Sequence, residues 1–337
     1  MMHLLIKKIR NRAQFFWNRI FCTKTSKNDL LTQKHCRQRS QFDRPLNLES
    51  ISSFAAYAAY HEKMESEYAN RTNRENQLIG DQQGFFTPGF CYVCSKNVDF
   101  FSNFAHAFLN ADGRKIPNWR EHMVCPHCHL NNRMRGAIQV FEQLCEAKLD
   151  DNIYLTEQKT PLYQWFQQNY LKVIGSEYLA NTVPYGSLDK DRIRNETLTG
   201  LTFETNTFDY ILSFDVFEHI PEYQVAFQET LRCLKPRGKL IFTVPFNRGS
   251  DNNIVRARLA TDGTIEHILP PEYHGDPLNS KGVLCFYHFG WELLDQLCEI
   301  GFSSATAYLY WSEELGYLGF EQILFVAQKG DAEKMLS

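Results

Sequence analysis

Two pairs of cysteines constrain this chain more than any other feature of its sequence. Cys91 is paired with Cys94 and Cys125 with Cys128, and 30 residues separate Cys94 from Cys125. Two intervening residues let both thiolates of a pair turn toward one ion, and two pairs complete the tetrahedral set that suits Zn²⁺. Four thiolates leave no open coordination position, so the sequence predicts a structural zinc site in a small zinc-ribbon-like module.

The other cysteines argue against a secreted disulfide framework. The chain has ten cysteines, and the six outside the two pairs are scattered singly. Lys7 and Lys8 interrupt the apolar start of the chain, so we expect no secretory signal. No apolar run is long enough for a membrane-spanning helix. We therefore expect a cytoplasmic protein whose paired cysteines bind metal, rather than a redox dithiol, which needs only one such pair.

Charge is distributed unevenly along the chain. The net charge is −3, but residues 1–44 contain eleven Lys and Arg against two Asp and Glu. The rest of the chain is consequently acidic, which makes it a poor candidate for binding a nucleic-acid backbone. Nucleic acid is thus not expected as a partner, although the basic arm leaves room for it.

Residues 1–84 form a basic N-terminal extension in which we predict helices. Apolar residues recur at helical spacing in residues 1–21, between basic side chains and Trp17. One interpretation is a helix on an anionic membrane surface, which would make the protein membrane-peripheral. The other is an arm that is poorly ordered or docked on the core. Residues 50–78 also have helical spacing.

Residues 85–136 are predicted as the cysteine module, and residues 150–330 as an α/β domain. In the second segment apolar runs that suit strands alternate with helical patterns, which favours a mainly parallel sheet. Predicted strands are Asn152–Leu155, Leu171–Ser176, Phe208–Ser213, Lys239–Pro245, Ala305–Trp311 and Glu321–Gln328, with helices at Thr160–Tyr170, Pro221–Leu234 and Phe289–Ile300. The last two strands, joined by a glycine-containing loop, predict a C-terminal antiparallel hairpin.

Two blocks of this segment resemble class I S-adenosylmethionine (SAM) methyltransferases of the type 11 kind. They are Phe208-Asp-Tyr-Ile-Leu-Ser-Phe-Asp-Val-Phe-Glu-His-Ile220 and Leu231-Arg-Cys-Leu-Lys-Pro-Arg-Gly-Lys-Leu-Ile-Phe-Thr-Val-Pro245. They are similar to the fourth strand of that family and to the helix, turn and fifth strand that follow it. The resemblance implies a Rossmann-like doubly wound sheet, SAM as cofactor and methyl transfer as the activity.

The resemblance also implies the residues that bind the cofactor. Glu177 follows the second strand, where the family has a carboxylate that accepts hydrogen bonds from ribose hydroxyls. The remaining candidates are Glu157, Tyr178, Thr197, Leu198, Ser213, Phe214 and Asp215. The first motif departs from the family, because residues 154–161 contain no glycine. Glu157 would replace the acidic residue of that motif, and the helix start at Thr160 would offer free N–H groups to a carboxylate.

The segment between the fifth strand and the next helix, residues 247–288, is expected to cover the methyl-transfer site. Histidine is the natural general base near neutral pH, and His219 and His274 are the candidate catalytic residues. The alternative for each is a structural hydrogen bond. Arg133 and Arg135, which follow the second cysteine pair, either pair with the acidic body or hold an anionic group.

Three functions fit this sequence. The first is a methyltransferase acting on an O or N atom of a small molecule or glycan. The second is an RNA methyltransferase that docks through the cysteine module and the basic arm. The third is a non-catalytic scaffold built on a degenerate methyltransferase fold.

Overall fold

The computed structural model of the chain describes residues 44–80, 82–275 and 278–331. From Arg44 onward the described residues form one compact unit. The predicted helix in residues 1–21 and the basic linker after it lie outside the described residues. Within the described ranges, no helix combines the length and hydropathy needed to cross a bilayer.

Strands and helices alternate through the second half of the described chain. One group of short strands precedes this part, and another lies within it. In chain order the strands are β1 (Glu49–Ile51), β2 (Gly84–Cys91), β3 (Lys96–Asn103), β4 (Phe108–Leu109), β5 (Lys115–Ile116), β6 (Met123–Val124), β7 (Asn152–Leu155), β8 (Lys172–Gly175), β9 (Phe208–Phe214), β10 (Leu234–Thr243), β11 (Ile254–Val255), β12 (Ala257–Leu259), β13 (Ile265–His267), β14 (Tyr273–His274), β15 (Val283–Leu284), β16 (Tyr287–His288), β17 (Phe302–Ser312) and β18 (Tyr317–Lys329). The α-helices are α1 (Phe54–Leu78), α2 (Trp119–His122), α3 (Asn132–Cys145), α4 (Pro161–Asn169), α5 (Tyr223–Cys233) and α6 (Glu292–Ile300).

A seven-stranded mixed sheet forms the centre, with the strand order β1-β17-β18-β10-β9-β7-β8. The four strands from β8 to β10 are parallel, while β18, β17 and β1 continue the sheet in antiparallel fashion. This confirms the predicted Rossmann-like sheet and its C-terminal hairpin. The strand β1 was not predicted, because residues 50 and 51 were assigned to a helix.

Both faces of the sheet are covered, as a doubly wound fold requires. Along β7, Ile153 and Leu155 join one buried cluster with α3 and α4, whereas Tyr154 joins the other cluster with α5 and α6. Successive strand residues point to opposite faces, so this alternation places helices on each side. The uninterrupted burial of Ile153, Tyr154 and Leu155 is what a central parallel strand shows.

Local chemistry accounts for the helix that begins after β7. Thr160 caps α4 by accepting a hydrogen bond from the backbone N–H of Tyr163 at 3.2 Å, and Pro161 occupies the first helical position. Both residue types are favoured there. The start of α4 therefore agrees with the prediction made from Thr160 and Pro161.

The cysteine module and the segment before α6 supply the short strands. In the module, β2, β3 and β6 form an antiparallel sheet, and β4 pairs with β5. The module shares a buried cluster with the central sheet, since Cys91 and Cys125 belong to the same cluster as Ile153. Residues 247–288 form the small hairpins β12–β13 and β14–β15 and the antiparallel strand pair β11–β16. The proposed boundaries at 85–136 and 150–330 stay predictions.

Candidate functional site

Three acidic residues lie where parallel strands of the sheet end. Glu157 comes two residues after β7, Glu177 two residues after β8, and Asp215 directly after β9. The carboxyl ends of parallel strands meet at one edge, which is where doubly wound folds bind ligands. The charges of Glu177 and Asp215 both act on Glu157, so the structure brings these three predicted residues together.

The carboxylate of Glu177 holds the turn that lacks glycine. Its Oε1 accepts hydrogen bonds from the backbone N–H groups of Gln158 at 2.7 Å and Lys159 at 2.8 Å. The side chain of Gln158 continues this contact, since its Oε1 accepts from the N–H of Arg194 at 2.9 Å. The turn is thus fixed by side chains of the neighbouring loops, where the resembled family uses glycines.

Glu157 is half-buried, and its carboxyl has a raised pKa. Its Oε1 is buried and accepts no hydrogen bond from the described residues. Burial raises the pKa of the Glu157 carboxyl to about 7, against the opposing effect of the Arg133 guanidinium. A buried polar atom without a partner is costly, and such an atom at the ligand edge of the sheet suits a cofactor that supplies a donor.

Asp215 is the most heavily paired of the three carboxylates. Arg120 donates to both of its oxygens, Thr243 Oγ1 donates to Oδ1 at 2.8 Å, and Arg133 Nε lies 3.3 Å from Oδ2. Burial favours the neutral form, but the two arginines outweigh it and hold the pKa of Asp215 well below its ordinary value. Asp215 has a positive φ of 55°, a backbone conformation that is uncommon for residues other than glycine.

The other predicted cofactor residues are more dispersed. Ser213 is buried within β9 and accepts a hydrogen bond from Thr156 at 3.0 Å, and Phe214 is buried in the core. Tyr178 is 64% exposed and stacks on Tyr185. Thr197 and Leu198 have different surroundings. The Oγ1 of Thr197 shares a hydrogen bond with the Oγ1 of Thr199 at 2.9 Å, whereas Leu198 is buried in the core.

The arginines beside the second cysteine pair contact the body of the protein. Arg133 Nε donates to Glu121 at 3.0 Å as well as approaching Asp215. Arg135 is buried and donates to the carbonyl oxygens of Leu315 and Gly316 at 2.8 and 2.9 Å. The prediction that these arginines pair with the body or cap the module against it is confirmed. Sequence reasoning did not anticipate that Arg120 would bind Asp215.

The two predicted catalytic histidines meet just beyond β9. The ring centroids of His219 and His274 are 4.9 Å apart. The carboxylate of Glu218, a buried residue the sequence did not single out, lies 3.5 Å from His219 Nε2 and 3.4 Å from His274 Nδ1. His274 also contacts Glu272, at 3.0 Å. Only the position of Glu218 in the Phe-Glu-His run could have signalled it.

The four paired cysteines converge on one point. Their sulfur atoms all lie within 4.8 Å of one another. The Sγ atoms of Cys91 and Cys128 are 3.8 Å apart, as are those of Cys94 and Cys125. A Zn–S bond of about 2.3 Å in a tetrahedron gives sulfur separations of about 3.8 Å. The donor set and its spacing therefore fit a tetrahedral zinc ion.

Residues 161–242 match the family model for a methyltransferase domain. That segment runs from α4 to β10 and includes Glu177, Asp215 and His219. Over 42 residues the chain is 43% identical to phosphoethanolamine N-methyltransferase 2 of Caenorhabditis elegans, a match that covers 12% of this chain and 10% of the relative. The chain thus spans about a tenth of the length of that curated relative.

Solved structures of methyltransferases are also similar to part of this chain. One is an S-adenosylmethionine dependent methyltransferase from Mesorhizobium loti, with a TM-score of 0.34, 14% identity, and coverage of 57% of this chain and 98% of that chain. Another is the 1,6-didemethyltoxoflavin-N1-methyltransferase of Burkholderia thailandensis, solved with S-adenosylhomocysteine, with a TM-score of 0.34, 15% identity, and coverage of 59% and 78%.

Proposed function

We propose that this chain is a SAM-dependent methyltransferase that acts on an O or N atom of a small molecule or glycan. One observation supports the proposal: the residues that match the methyltransferase family include carboxylates at the edge of the sheet where doubly wound folds bind ligands. The matched residues 161–242 contain two of the three carboxylates gathered there, Glu177 and Asp215. The cysteine quartet has a structural role, since its four thiolates leave no position for a substrate.

Two of the three carboxylates have a role in holding the cofactor. When bound, SAM supplies an electrophilic methyl group. Glu177, which already fixes the turn of Gln158 and Lys159, accepts from the ribose hydroxyls. Glu157, whose Oε1 accepts no hydrogen bond from the described residues, accepts from the amino group of the methionine part. The N-terminus of α4 offers backbone N–H groups to the methionine carboxylate.

The acceptor lies on the side of His219 and His274. Both rings are partly exposed, at 14% and 28% of the side chain, and an imidazole there can take a proton from an acceptor hydroxyl or amine. Residues 284–286 lie against this side, since His219 Nδ1 is 2.8 Å from the carbonyl oxygen of Leu284. Because of the matched relative, phosphoethanolamine and its methylated forms are the first acceptors to assay, followed by glycans.

Charge distribution favours a small acceptor over RNA. An RNA methyltransferase needs free basic side chains between the cysteine module and the site. Arg120, Arg133 and Arg135, which lie between the two, are bound to Asp215, to Glu121 and to backbone carbonyls. They are therefore not available to phosphates without breaking buried contacts.

A non-catalytic scaffold is a second candidate, favoured by the pairing of Asp215. Two arginines already neutralise this carboxylate, and Arg133 also acts on Glu157. If these guanidinium groups occupy the space of the methionine part, the fold would serve as a binding platform only. In that case SAM would not bind.

Calorimetric titration of the zinc-loaded chain with SAM and S-adenosylhomocysteine tests the proposal. We expect binding in the micromolar range, weakened by roughly tenfold or more in Glu177→Ala, because hydrogen bonds to a charged group contribute about 1.5–3 kcal/mol. Glu204→Ala, which removes an exposed carboxylate, should bind as the wild type does. Absence of binding to a folded, zinc-loaded chain would reject the methyltransferase proposal and leave the scaffold.

A further inference from the structure

Six chemically active side chains gather between the end of β9 and the hairpins of residues 247–288. Glu218, His219 and His274 form one group and Glu272, Cys285 and His288 the other, and within each group the ligand atoms lie within 4.8 Å of one another. They come from segments far apart in sequence. A backbone hydrogen bond joins these segments, since the N–H of Phe286 donates to the carbonyl of Glu218 at 2.7 Å.

The two histidines of the first group are oriented by hydrogen bonds at the ring nitrogens that point away from Glu218. His219 Nδ1 lies 2.8 Å from the carbonyl oxygen of Leu284, and His274 Nε2 lies 3.0 Å from Oε1 of Glu272. Because both partners are acceptors, these nitrogens carry the hydrogens. The opposite nitrogens, His219 Nε2 and His274 Nδ1, both face Glu218, and in the neutral form in which imidazole binds a metal they present lone pairs. Metal-binding histidines are held in this way in proteins.

Glu218 is buried without the partners that a carboxylate needs. Its side chain is 0% exposed, and neither oxygen accepts a hydrogen bond from the described residues. The nearest groups are His219 Nε2 at 3.5 Å and His274 Nδ1 at 3.4 Å. A buried carboxylate is paired or binds a metal. Two lone pairs and a carboxylate that face one point leave room for a cation between them.

We propose that Glu218, His219 and His274 bind a divalent transition-metal ion. The ligand atoms are Glu218 Oε1, His219 Nε2 and His274 Nδ1. Bonds of about 2.0–2.1 Å in tetrahedral geometry separate ligand atoms by about 3.4 Å, which agrees with the two measured separations. Two imidazoles and one carboxylate suit Zn²⁺, Mn²⁺ or Fe²⁺. Three protein ligands leave a position for water or for an oxygen of an acceptor, and with the ion bound the two imidazoles serve as ligands in place of the general base proposed above.

The second group does not offer an equivalent site. Glu272 already contacts three donors: its Oε1 lies 3.0 Å from both His274 Nε2 and His288 Nε2, and Oε2 lies 3.1 Å from Arg256. The thiol of Cys285 lies 3.2 Å from the carbonyl oxygen of Tyr287. Glu272 therefore positions His274, while Glu218 accepts the ion.

Metal content of the untagged full-length chain tests the site without reference to activity. The chain is dialysed against Zn²⁺, Mn²⁺ or, under argon, Fe²⁺, freed of excess ion, and analysed by inductively coupled plasma mass spectrometry. We expect one metal equivalent beyond the zinc of the cysteine quartet. Glu218→Gln and His274→Ala should lose that equivalent and keep the quartet zinc. Glu266→Gln and His267→Ala, at exposed positions of the same hairpins, should keep both.

Two results would overturn the site. One is a wild type that retains no equivalent beyond the quartet with any of the three ions. The other is an extra equivalent that Glu218→Gln and His274→Ala both retain. His274 is partly exposed, so His274→Ala remains informative if Glu218→Gln does not fold, and near-ultraviolet circular dichroism checks folding. Because the readout is bound metal, it is independent of SAM binding and of the proposed methyl transfer.

Discussion

Arg120 Nη2 donates hydrogen bonds to both carboxylate oxygens of Asp215, at 3.0 Å to Oδ1 and 2.9 Å to Oδ2. Arg120 belongs to α2, between the two cysteine pairs, whereas Asp215 directly follows the parallel strand β9 of the predicted methyltransferase-type domain. This pair therefore joins the cysteine module to the ligand edge of the sheet. Arg120 also pairs with Glu121, which Arg133 contacts in turn.

Arg120→Ala is expected to destabilise the protein at neutral pH by about 1.5–3 kcal/mol, since it removes hydrogen bonds to a charged group. The pKa of Asp215 is depressed in the folded state. Its stabilising contribution is present above the unfolded pKa of about 4 and is lost as the pH falls through the folded value. The difference between wild type and variant should consequently shrink on acidification below about pH 4.

Urea unfolding at several pH values measures this effect. The control is Arg237→Ala, because the guanidinium of Arg237 is 76% exposed and lies 3.6 Å from Asp331. Such exposed pairs contribute little, so the control should stay within about 0.5 kcal/mol of the wild type. A difference between Arg120→Ala and wild type that does not change with pH would contradict the proposed electrostatic role.

Glu157 should have the opposite pH dependence. Burial raises the pKa of this carboxyl to about 7, so between its unfolded value of about 4.3 and pH 7 the folded state binds more protons. The free energy of unfolding contributed by Glu157 therefore falls as the pH rises through that window, by at most about 3 kcal/mol. In Glu157→Gln this fall should disappear.

The measurement is the free energy of unfolding at pH 5 and pH 8 for wild type, Glu157→Gln and Glu204→Gln. The last substitution removes an exposed carboxylate and should leave the pH dependence of the wild type unchanged. A wild type and a Glu157→Gln variant with the same dependence would show that this carboxyl titrates normally.

Local chemistry made much of the fold predictable. Thr160 and Pro161 define the start of α4 by themselves, and the apolar run Asn152–Leu155 coincides with β7. The two short cysteine spacings were sufficient to predict that the four thiolates converge. The helix start and the strand depend on neighbours within a few residues, whereas the two cysteine pairs lie 30 residues apart and are linked by the four ligands that a zinc ion needs.

Features that depend on distant partners were not predictable in this way. The strand β1 exists because Glu49–Ile51 pairs with residues 307–309 of β17. Arg120 meets Asp215 across 95 positions. Glu218 is buried, and its carbonyl oxygen accepts from the distant N–H of Phe286, which nothing in its own neighbourhood indicates. A carboxylate after a strand has the same local pattern whether it is exposed or buried.

Loss of the zinc ion that we predict at the cysteine quartet should affect both the cysteine module and the cofactor site. Cys125→Ser removes one of four thiolates, and structural zinc contributes about 10–16 kcal/mol of apparent binding energy in small zinc domains. We expect the variant to lose its quartet zinc and to unfold at a clearly lower temperature. Arg120, which lies between the cysteine pairs, should then lose its contact with Asp215. Because Asp215 is a predicted cofactor residue, we also expect weaker SAM binding.

Cys298→Ser is the matched control, because Cys298 is an exposed cysteine outside the quartet. It should retain zinc, thermal stability and SAM affinity. If Cys125→Ser retained its zinc at wild-type stoichiometry, the quartet would not be the zinc site. If it lost zinc but bound SAM as the wild type does, the link through Arg120 would be wrong.

Arg135 shows how the cysteine module is held against the C-terminal hairpin. Its guanidinium lies 4.0 Å above the ring of Phe100, and its two terminal nitrogens donate to the carbonyls of Leu315 and Gly316 in the turn between β17 and β18. A lysine ammonium cannot reproduce this fork. Arg135→Lys should therefore cost about 2–3 kcal/mol of stability, the value of a hydrogen bond to a charged group.

Arg258→Lys, at an exposed position of β12, should change stability by less than about 0.5 kcal/mol. Chemical unfolding of the wild type and of the two variants measures these differences in stability. Equal stability of Arg135→Lys and wild type would mean that packing on Phe100, which a lysine stem can retain, holds the module in place without the two carbonyl contacts.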